Sequence, residues 1–485
     1  MSPKAYKSYH FRANKFIPDP THYSMALALG SGFTLVVTED GDMYSFGRNE
    51  HGQLGIGSDI SQKRPFFVGR HASFHGRRVL MAAAGSKFGA CVTEDGSVWT
   101  WGCNLFGQLG VRTYDIVGFC VPQHLPPHHF GKSRAAMVAC GLDFTLILSE
   151  AGHVWTSGRN HSGVLGHNDA AISPEKHTFQ QIDAAYFGNI AVTMVAVGAS
   201  HCIAACASVD NRHAVFTWGR NDSGQLGNGS YDEVAVPKLV ANTAFGDGVV
   251  ETVYAGFDYT MVVTCIGELF ACGNGSSGEL GLGSTESYNT FQRVGGPSSA
   301  LFGPRGVRSV ACGAMHTIIL AKDNAVWSCG NASAPSLGTT DEQGPDILVP
   351  TLFPGFLLHN SQIVAIGAGA MHSAVVTAQG RVYTWGQGRR FQPYATGLGD
   401  GTTLPRWRPW LLSLDRRNAV RAGRWHKTPP EFFVAFAMAT HHRAGASCGV
   451  LHLVHSDLVK FISSCVDYEP RSGHGRGLLT MLGFE

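Results

Sequence analysis

The chain has 485 residues, a formal net charge of +2, 61 glycines and 15% charged residues. A charge this close to neutral gives no general electrostatic reason to expect a nucleic-acid partner. The hydrophobic content of 44% is too high for a disordered chain. No window approaches the roughly 20 apolar residues of a membrane span, so no membrane association is expected.

The twelve cysteines include no Cys-x-x-Cys pair, and the closest two, Cys202 and Cys206, fall in an apolar run. A secreted disulfide scaffold would be short and dense in cysteine, and this chain is neither. Residues 1–15 contain four basic residues but no apolar run, unlike a secretory signal. We therefore expect reduced thiols and an intracellular protein, in the nucleus or the cytoplasm.

Residues 1–23 precede any repeating pattern and are predicted to form an N-terminal arm. Their basic residues can contact phosphates, although a terminus without ordered structure explains them equally well. These residues are Lys4, Lys7, Arg12 and Lys15.

From residue 24 to residue 412, a unit of 55 to 58 residues recurs seven times. A short apolar run ends each time at a first glycine, and a second glycine usually follows 17 residues later. This period is longer than that of WD repeats (about 40–45) or kelch repeats (about 50). The first glycines are Gly30, Gly85, Gly141, Gly198, Gly256, Gly313 and Gly369, and the second are Gly47, Gly102, Gly158, Gly219, Gly273, Gly330 and Gly386.

Each unit contains a hairpin and a further strand. In the first unit, the alternating segment 33–38 is followed by Asp40-Gly41 and an apolar return strand. Asp-Gly between two such segments predicts a tight turn, because the turn needs positive φ. Asn324 takes the glycine's place in the sixth unit, and Asn also tolerates this backbone. A later run with a proline, such as residues 236–240, predicts a strand at the sheet edge.

Small residues surround the first glycines, as in Ala82-Ala83-Ala84-Gly85-Ser86. Strands crowded around a central axis would need such side chains. A single unit cannot cover both faces of its sheet, whereas a closed ring gives every sheet two neighbours. We therefore predict an all-β fold: a seven-bladed β-propeller over residues 24–412.

The repeats resemble those of the regulator of chromosome condensation family. The resemblance rests on segments such as Tyr383-Thr384-Trp385-Gly386, residues 219–227 (GRNDSGQLG) and residues 312–317 (CGAMHT). It covers about 80% of the chain and implies the seven-bladed propeller. It does not fix the function, because one fold serves many functions.

The family includes an exchange factor for the small GTPase Ran. In that branch, an Asp and a His, two and three places after first glycines and two repeats apart, contact the GTPase together with a wedge-like insertion. Here Asp143 occupies the Asp place, but Tyr259 occupies the His place. Asp258 and His372 have the right spacing in later repeats, and no wedge-sized insertion is present.

The third residue after the first glycine is a planar ring in every repeat: Phe33, Phe88, Phe144, His201, Tyr259, His316 and His372. One interpretation is that these rings pack around the axis. The alternative is a polar partner-contact rim formed by Asp143, His201, Asp258, His316 and His372.

The plant ultraviolet-B receptor, another branch of the family, places Trp directly after the first glycine. None of the seven residues at that place in this chain is Trp, so that photochemistry is not expected. The seven residues are Ser31, Ser86, Leu142, Ala199, Phe257, Ala314 and Ala370.

The seventh repeat introduces a basic, Trp-rich segment. Nine basic and two acidic residues lie between Arg389 and Lys427. Arg and Trp are enriched at interface hot spots, and a basic loop can meet an acidic protein or nucleic-acid phosphates. A solvated rim with Trp covering the last blade is the alternative. The candidate interface is Arg389, Arg390, Arg406, Trp407, Arg408 and Trp410.

Residues 413–485 leave the repeat pattern. Pro430 followed by the apolar segment 432–440 predicts a helix, and 457–465 is a second candidate. We therefore predict a short, mainly helical C-terminal extension. Its His and Cys residues match no standard zinc spacing, so no metal is expected.

These observations favour an interaction scaffold for a protein partner over an enzyme, with no cofactor. The alternative is a guanine nucleotide exchange factor for a Ran-like small GTPase. A small GTPase and a chromatin component are both compatible partners, and nucleic acid is a less favoured one.

Overall fold

The computed structural model describes residues 25–414, apart from gaps at 70–72, 113–117, 170–172, 208–213, 247, 297–300, 304–305, 333–334, 339–343, 355–357, 359–360 and 388–396. The predicted N-terminal arm and nearly all of the predicted extension at 413–485 lie outside the described residues. Arg389 and Arg390 of the predicted basic interface lie outside them as well.

Twenty-eight strands form seven four-stranded antiparallel sheets. In blades 1 to 4 the strands are β1 Ala26–Leu29, β2 Phe33–Val37, β3 Met43–Gly47, β4 Gln62–Phe67; β5 Val79–Ala84, β6 Phe88–Thr93, β7 Val98–Cys103, β8 Gly118–Leu125; β9 Ala135–Cys140, β10 Phe144–Ser149, β11 Val154–Arg159, β12 Glu175–Gln181; β13 Val192–Val197, β14 His201–Cys206, β15 Ala214–Gly219 and β16 Val234–Leu239. In blades 5 to 7 they are β17 Val250–Ala255, β18 Tyr259–Thr264, β19 Leu269–Gly273, β20 Tyr288–Arg293; β21 Val307–Cys312, β22 His316–Ala321, β23 Val326–Gly330, β24 Ile347–Leu352; β25 Ile363–Ala368, β26 His372–Thr377, β27 Val382–Gly386 and β28 Arg406–Leu411.

Each sheet contains four strands that are consecutive in the chain, in the spatial order first, second, third, fourth. The prediction of a seven-bladed propeller is confirmed. The helices of the described residues are short 3-10 turns at Pro127–Phe130, His161–Gly163, Ala184–Phe187, Asn242–Phe245 and Pro335–Leu337. None of the described helices is long and apolar enough to cross a membrane.

The turn between the second and third strands confirms the hairpin prediction. Gly41 has φ +75°, Gly96 has φ +76°, and Asn324 has φ +75° at the same place in blade 6. Asn324 also ties blade 6 to blade 7, since its Oδ1 accepts a hydrogen bond from the Ile363 backbone N–H at 2.7 Å. Its Nδ2 donates to the Ser361 carbonyl at 3.1 Å.

The hydrophobic core lies between the blades. Phe33, Leu35 and Val37 of blade 1 share one buried cluster with Trp99 and Trp101 of blade 2. The ring closes in the same way: Met25, Val36 and Phe46 of blade 1 pack with Val376 and Val382 of blade 7. No sheet combines strands from the two ends of the described chain, so side-chain packing and a few hydrogen bonds close the ring.

One face of the propeller bears two loops of every blade: the loop between its first and second strands and the loop between its third and fourth strands. We call it the upper face. The two loops of a blade are joined there by backbone hydrogen bonds. The Arg48 N–H donates to the Gly32 carbonyl at 2.9 Å, and the Asn274 N–H donates to the Asp258 carbonyl at 2.9 Å. The residues just after the first glycines therefore line the centre of this face.

Candidate functional site

A ring of backbone hydrogen bonds joins neighbouring blades at the centre of the upper face. Each bond starts at the residue directly after a first glycine. The described bonds run from Ser86 to Leu142 (3.4 Å), Leu142 to Ala199 (3.0 Å), Ala199 to Phe257 (3.0 Å), Phe257 to Gly313 (3.2 Å), Ala314 to Gly369 (3.3 Å) and Ala370 to Gly30 (3.4 Å). The place that holds Trp in the ultraviolet-B receptor branch thus serves here to join the blades.

The planar rings at the third position are buried just below this ring of hydrogen bonds. Phe33, His201 and Tyr259 are all 0% exposed. The first glycine provides the space, because a Cβ on Gly85 would lie 2.2 Å from Phe88 Cε1 and a Cβ on Gly198 would lie 2.2 Å from His201 Cε1. The first glycine is therefore needed for the close approach of the ring.

The three histidines of the predicted rim point into the next blade. Their Nε2 atoms lie 2.9 Å from Thr260 Oγ1 for His201, 2.8 Å from Ser373 Oγ for His316 and 2.9 Å from Thr34 Oγ1 for His372. Each hydroxyl already donates to a loop carbonyl, at 2.6 Å to Gln225, 2.8 Å to Ser336 and 2.7 Å to Gly397. The hydroxyls must therefore accept from Nε2–H, so the neutral form of each ring carries its proton on Nε2.

Burial lowers the pKa of His201 to about 4, of His316 to about 3 and of His372 to about 4. The three residues are at most 3% exposed. In this structure the histidine part of the predicted rim is not exposed to a partner, because these side chains join blades to one another. The first interpretation, rings packed at the axis, describes their placement.

Tyr259 makes the same kind of link with different atoms. Its hydroxyl donates to the His316 carbonyl at 2.7 Å and lies 2.9 Å from Thr317 Oγ1. The polar ring of each of blades 4 to 7 thus contacts a hydroxyl of the following blade. That hydroxyl belongs to the residue four places after the first glycine of the following blade. Sequence reasoning missed these hydroxyls, although the repeat register contains the signal.

The two aspartates of the predicted rim lie at the surface of the upper face. The Asp143 side chain is 19% exposed and lies 3.9 Å from Arg159 Nη1; the Asp258 side chain is 18% exposed and lies 3.7 Å from Arg220 Nη1. Desolvation raises the pKa of each carboxyl, and the neighbouring arginine opposes this effect. Both carboxylates are half-buried and held near a cation.

Large apolar side chains are exposed beside Asp258 in blades 5 to 7. Phe257 is 40% exposed, Met315 is 46% exposed and Met371 is 44% exposed. Each lies one or two places after a first glycine, so they follow one another around the centre of the face. Sequence reasoning did not identify this apolar arc, because its members are 58 and 56 residues apart.

The described part of the basic segment forms the outer strand of blade 7. Arg406 pairs with Asp400 at 2.5 Å and stacks over the Trp410 ring, with its guanidinium carbon 4.4 Å from the ring centroid. Trp407 is half-buried, Arg408 is exposed and Trp410 is 47% exposed. Arg406 is therefore held by neighbours, whereas Arg408 and Trp410 face solvent.

Ring closure adds two cations that sequence reasoning missed. The Gly401 N–H donates to the Lys63 carbonyl at 2.8 Å, which places the outer strand of blade 1 beside blade 7. Lys63 and Arg64 are exposed there. Lys63 and Arg64 lie more than 330 residues from Arg408 in the chain, and ring closure makes the blades that carry them neighbours.

Among the described residues, no group of three or more His, Cys, Asp or Glu side chains is placed to hold a metal ion. The described cysteines are free thiols, and Cys265 is exposed. Burial raises the pKa of the Cys206 thiol to about 12.

Comparison with known protein families matches the repeat region. The family model of the RCC1-like domain matches residues 7–305, and the regulator of chromosome condensation (RCC1) repeat matches residues 307–333 and 363–392. The chain belongs to the RCC1-like family. The predicted resemblance is thereby confirmed, and the match extends across most of the propeller.

Two RCC1-like relatives illustrate the range of the family. The chain is 32% identical to the ultraviolet-B receptor UVR8 of Arabidopsis thaliana over 263 residues, 54% of this chain and 56% of UVR8. It is 30% identical to protein RCC2 of Mus musculus over 326 residues, 63% of this chain and 58% of RCC2. The chain thus spans little more than half the length of either relative.

The propeller of Prp20p from Saccharomyces cerevisiae has the same fold. The two superpose with a TM-score of 0.65 at 21% identity, over 83% of this chain and 91% of Prp20p. At this identity the likeness concerns the fold alone. The solved structure of Prp20p was described with its binding to Gsp1p and histones.

Proposed function

We propose that this RCC1-like protein is an intracellular scaffold that binds a protein partner through the centre of its upper face. The arc of Phe257, Met315 and Met371, each at least 40% exposed, carries this proposal. Exposed apolar side chains that are rimmed by polar groups mark protein interaction sites, with the apolar groups in the core of the interface and the charges at its rim. The free thiols of the described cysteines support the intracellular location.

The arc and the aspartates complement each other. Met is adaptable and frequent at binding surfaces. Asp258 adds directional charge directly after Phe257, and Asp143 adds a second carboxylate on the same face in blade 3. Because Arg159 and Arg220 already lie near these carboxylates, a partner would exchange or extend existing pairs. The histidines act from below by holding the blades that present this surface.

The test is affinity capture with Met315→Asp plus Met371→Asp, compared with wild type. We expect the double variant to lose the captured partner, since buried apolar anchors dominate binding energy. Ile266→Asp is the matched control, because Ile266 is 62% exposed at the turn between β18 and β19, on the opposite face. Equal recovery of partner by wild type and the double variant would contradict the proposal.

Exchange on a small GTPase is the second candidate. Asp143 lies on the upper face in the place that the exchange branch gives to Asp, and Prp20p has the same fold. The His place is occupied by Tyr259, which is buried and bonded to His316, and His372 of the other spaced pair is buried as well. These two contacts make exchange the less favoured candidate.

A fluorescent-nucleotide release assay against a panel of small GTPases separates the two candidates. Accelerated release at substoichiometric protein concentrations would identify an exchange factor, and Asp143→Asn should then slow it. Binding of a GTPase without accelerated release would support the scaffold.

A further inference from the structure

The outer strands of five blades contain a proline, and the residue before it occupies an equivalent position at the rim. Blades 2, 4 and 6 have valine there: Val121, Val236 and Val349. Blades 1 and 7 have Arg64 and Arg408 instead. Since valine serves the same fold position three times, the two arginines are not required for the fold.

These two blades are neighbours across the closing seam. At three other seams, a glycine in the loop before the outer strand donates to an uncharged residue of the next blade's outer strand: Gly57 to Cys120, Gly229 to Asn289 and Gly283 to Leu348, each within 2.9 Å. At the closing seam, Gly401 donates to Lys63, at 2.8 Å. The residue that accepts this bond is uncharged at those three seams and cationic at the closing seam.

Lys63, Arg64 and Arg408 are exposed, and no described acidic side chain pairs with any of them. Asp400, the described carboxylate closest in the chain to Arg408, has a fully buried side chain and is paired with Arg406. Apolar side chains lie alongside: Leu404 is 59% exposed and Trp410 is 47% exposed. The Arg406 guanidinium covers one face of the Trp410 ring.

We propose that this seam patch, formed by Lys63, Arg64, Arg408, Leu404 and Trp410, binds an extended acidic peptide segment that contains apolar residues. Three exposed cations that pair with no described acidic side chain favour a ligand that carries carboxylates. The exposed leucine calls for aliphatic contacts, which favours a peptide over nucleic acid. The patch lies at the outer rim, so it is a second contact surface besides the centre of the upper face.

The probe is a fluorescein-labelled twelve-residue peptide in which Glu alternates with Leu and Phe, titrated with the full chain and followed by anisotropy. We expect binding that weakens as salt increases. Arg64→Val plus Arg408→Val should weaken it roughly ten-fold or more, as expected when charge-assisted bonds are lost. Thermal melting of the double variant checks that it folds, as the valines of other blades predict.

Lys238→Val plus Arg112→Val is the matched control, because it removes two exposed cations elsewhere on the propeller and should leave peptide affinity unchanged. The same peptide with Gln in place of Glu should bind at least about ten-fold more weakly. Met315→Asp plus Met371→Asp should bind the probe as wild type does, which separates this patch from the proposed function. Equal affinity of wild type and the Arg64/Arg408 variant would overturn the proposal, as would tighter binding of a labelled dodecathymidine than of the acidic peptide.

Discussion

At the scale of single residues, the buried polar groups decide how the blades adhere. His201, His316 and His372 occupy the place that Phe33, Phe88 and Phe144 take in blades 1 to 3. Phe88 of blade 2 precedes a blade with Thr145, whose hydroxyl donates to Gln108 at 2.6 Å. At the seam between blades 2 and 3 a phenylalanine therefore lies in the ring position although the next blade carries the hydroxyl. At three other seams a histidine in that position adds a hydrogen bond to the hydroxyl.

The histidines predict acid sensitivity. Their folded pKa values lie near 3 to 4, below the ordinary value of 6.5. The unfolded chain therefore binds more protons, and the free energy of unfolding falls as the pH is lowered from about 6.5 toward 4. His201→Phe, His316→Phe and His372→Phe together should flatten this fall in denaturant titrations at pH 4.5 and 7.5. An unchanged slope would contradict this account.

Glu279 is a second buried ionisable residue, and its burial lowers the free energy of unfolding. It is 0% exposed and takes the place of Gln53, Gln108 and Gln225 in the corresponding loops. Its Oε2 accepts from the Ser277 N–H at 2.8 Å, while Oε1 has no hydrogen-bond partner among the described residues. Desolvation, above all, raises the pKa of this carboxyl.

Replacing Glu279 by Gln should stabilise the protein by about 1–3 kcal/mol above pH 6, because a buried charge is removed. The raised pKa means that the folded state binds more protons, so wild type loses stability as the pH rises above its ordinary value of 4.5. The gain from Glu279→Gln should therefore shrink near pH 4. Chemical denaturation at pH 4 and pH 7 measures both, and a gain that is equal at the two pH values would refute this explanation.

At the scale of elements, the hairpins and outer strands were predictable because their signals are local. A turn glycine and a strand proline act on their own backbone, and most blades repeat these signals, with a proline in five of the outer strands. The partners across seams were not predictable in the same way. Thr34 meets His372, 338 residues later, and Lys63 meets Gly401; both pairs depend on which blades become neighbours on closure.

At Asn324, two substitutions distinguish the contribution of the backbone conformation to stability from the contribution of the side-chain hydrogen bonds. Asn324→Gly should keep the φ of +75° but lose the two hydrogen bonds to blade 7, costing about 1–2 kcal/mol. Asn324→Ala should cost about 1 kcal/mol more, because a Cβ strains this backbone. Urea unfolding of the two variants gives both values. Equal stability of the two variants would show that backbone strain does not contribute.

At the scale of the whole molecule, the sequence predicted the ring but not the composition of its surfaces. The apolar arc requires knowing that Phe257, Met315 and Met371 are exposed while the rings beside them are buried. In blades 6 and 7, exposed Met315 and Met371 directly precede buried His316 and His372. A single chain without spatial neighbours does not distinguish them.

No sheet of the described chain combines strands from its two ends. The chain can therefore be opened between two other blades and joined between blades 7 and 1. A circular permutant that joins residue 414 to residue 25 through a flexible linker and opens between blades 4 and 5 should fold with the same strand order. The cluster shared by blades 7 and 1 would then join consecutive blades in the middle of the chain. Far-ultraviolet circular dichroism and melting compare it with wild type, and a permutant that does not fold would show that the order of the blades matters.

The same closure has a consequence during synthesis. The side chains Val36, Tyr44 and Phe46 of blade 1 share a buried cluster with residues of blade 7, such as Val376 and Val382. At about 5–20 residues per second, a ribosome needs roughly 20–70 s to make the intervening chain. Throughout that time an apolar face of the first blade remains open to other nascent chains. We therefore predict that chaperones acting at the ribosome bind this face until blade 7 has been made.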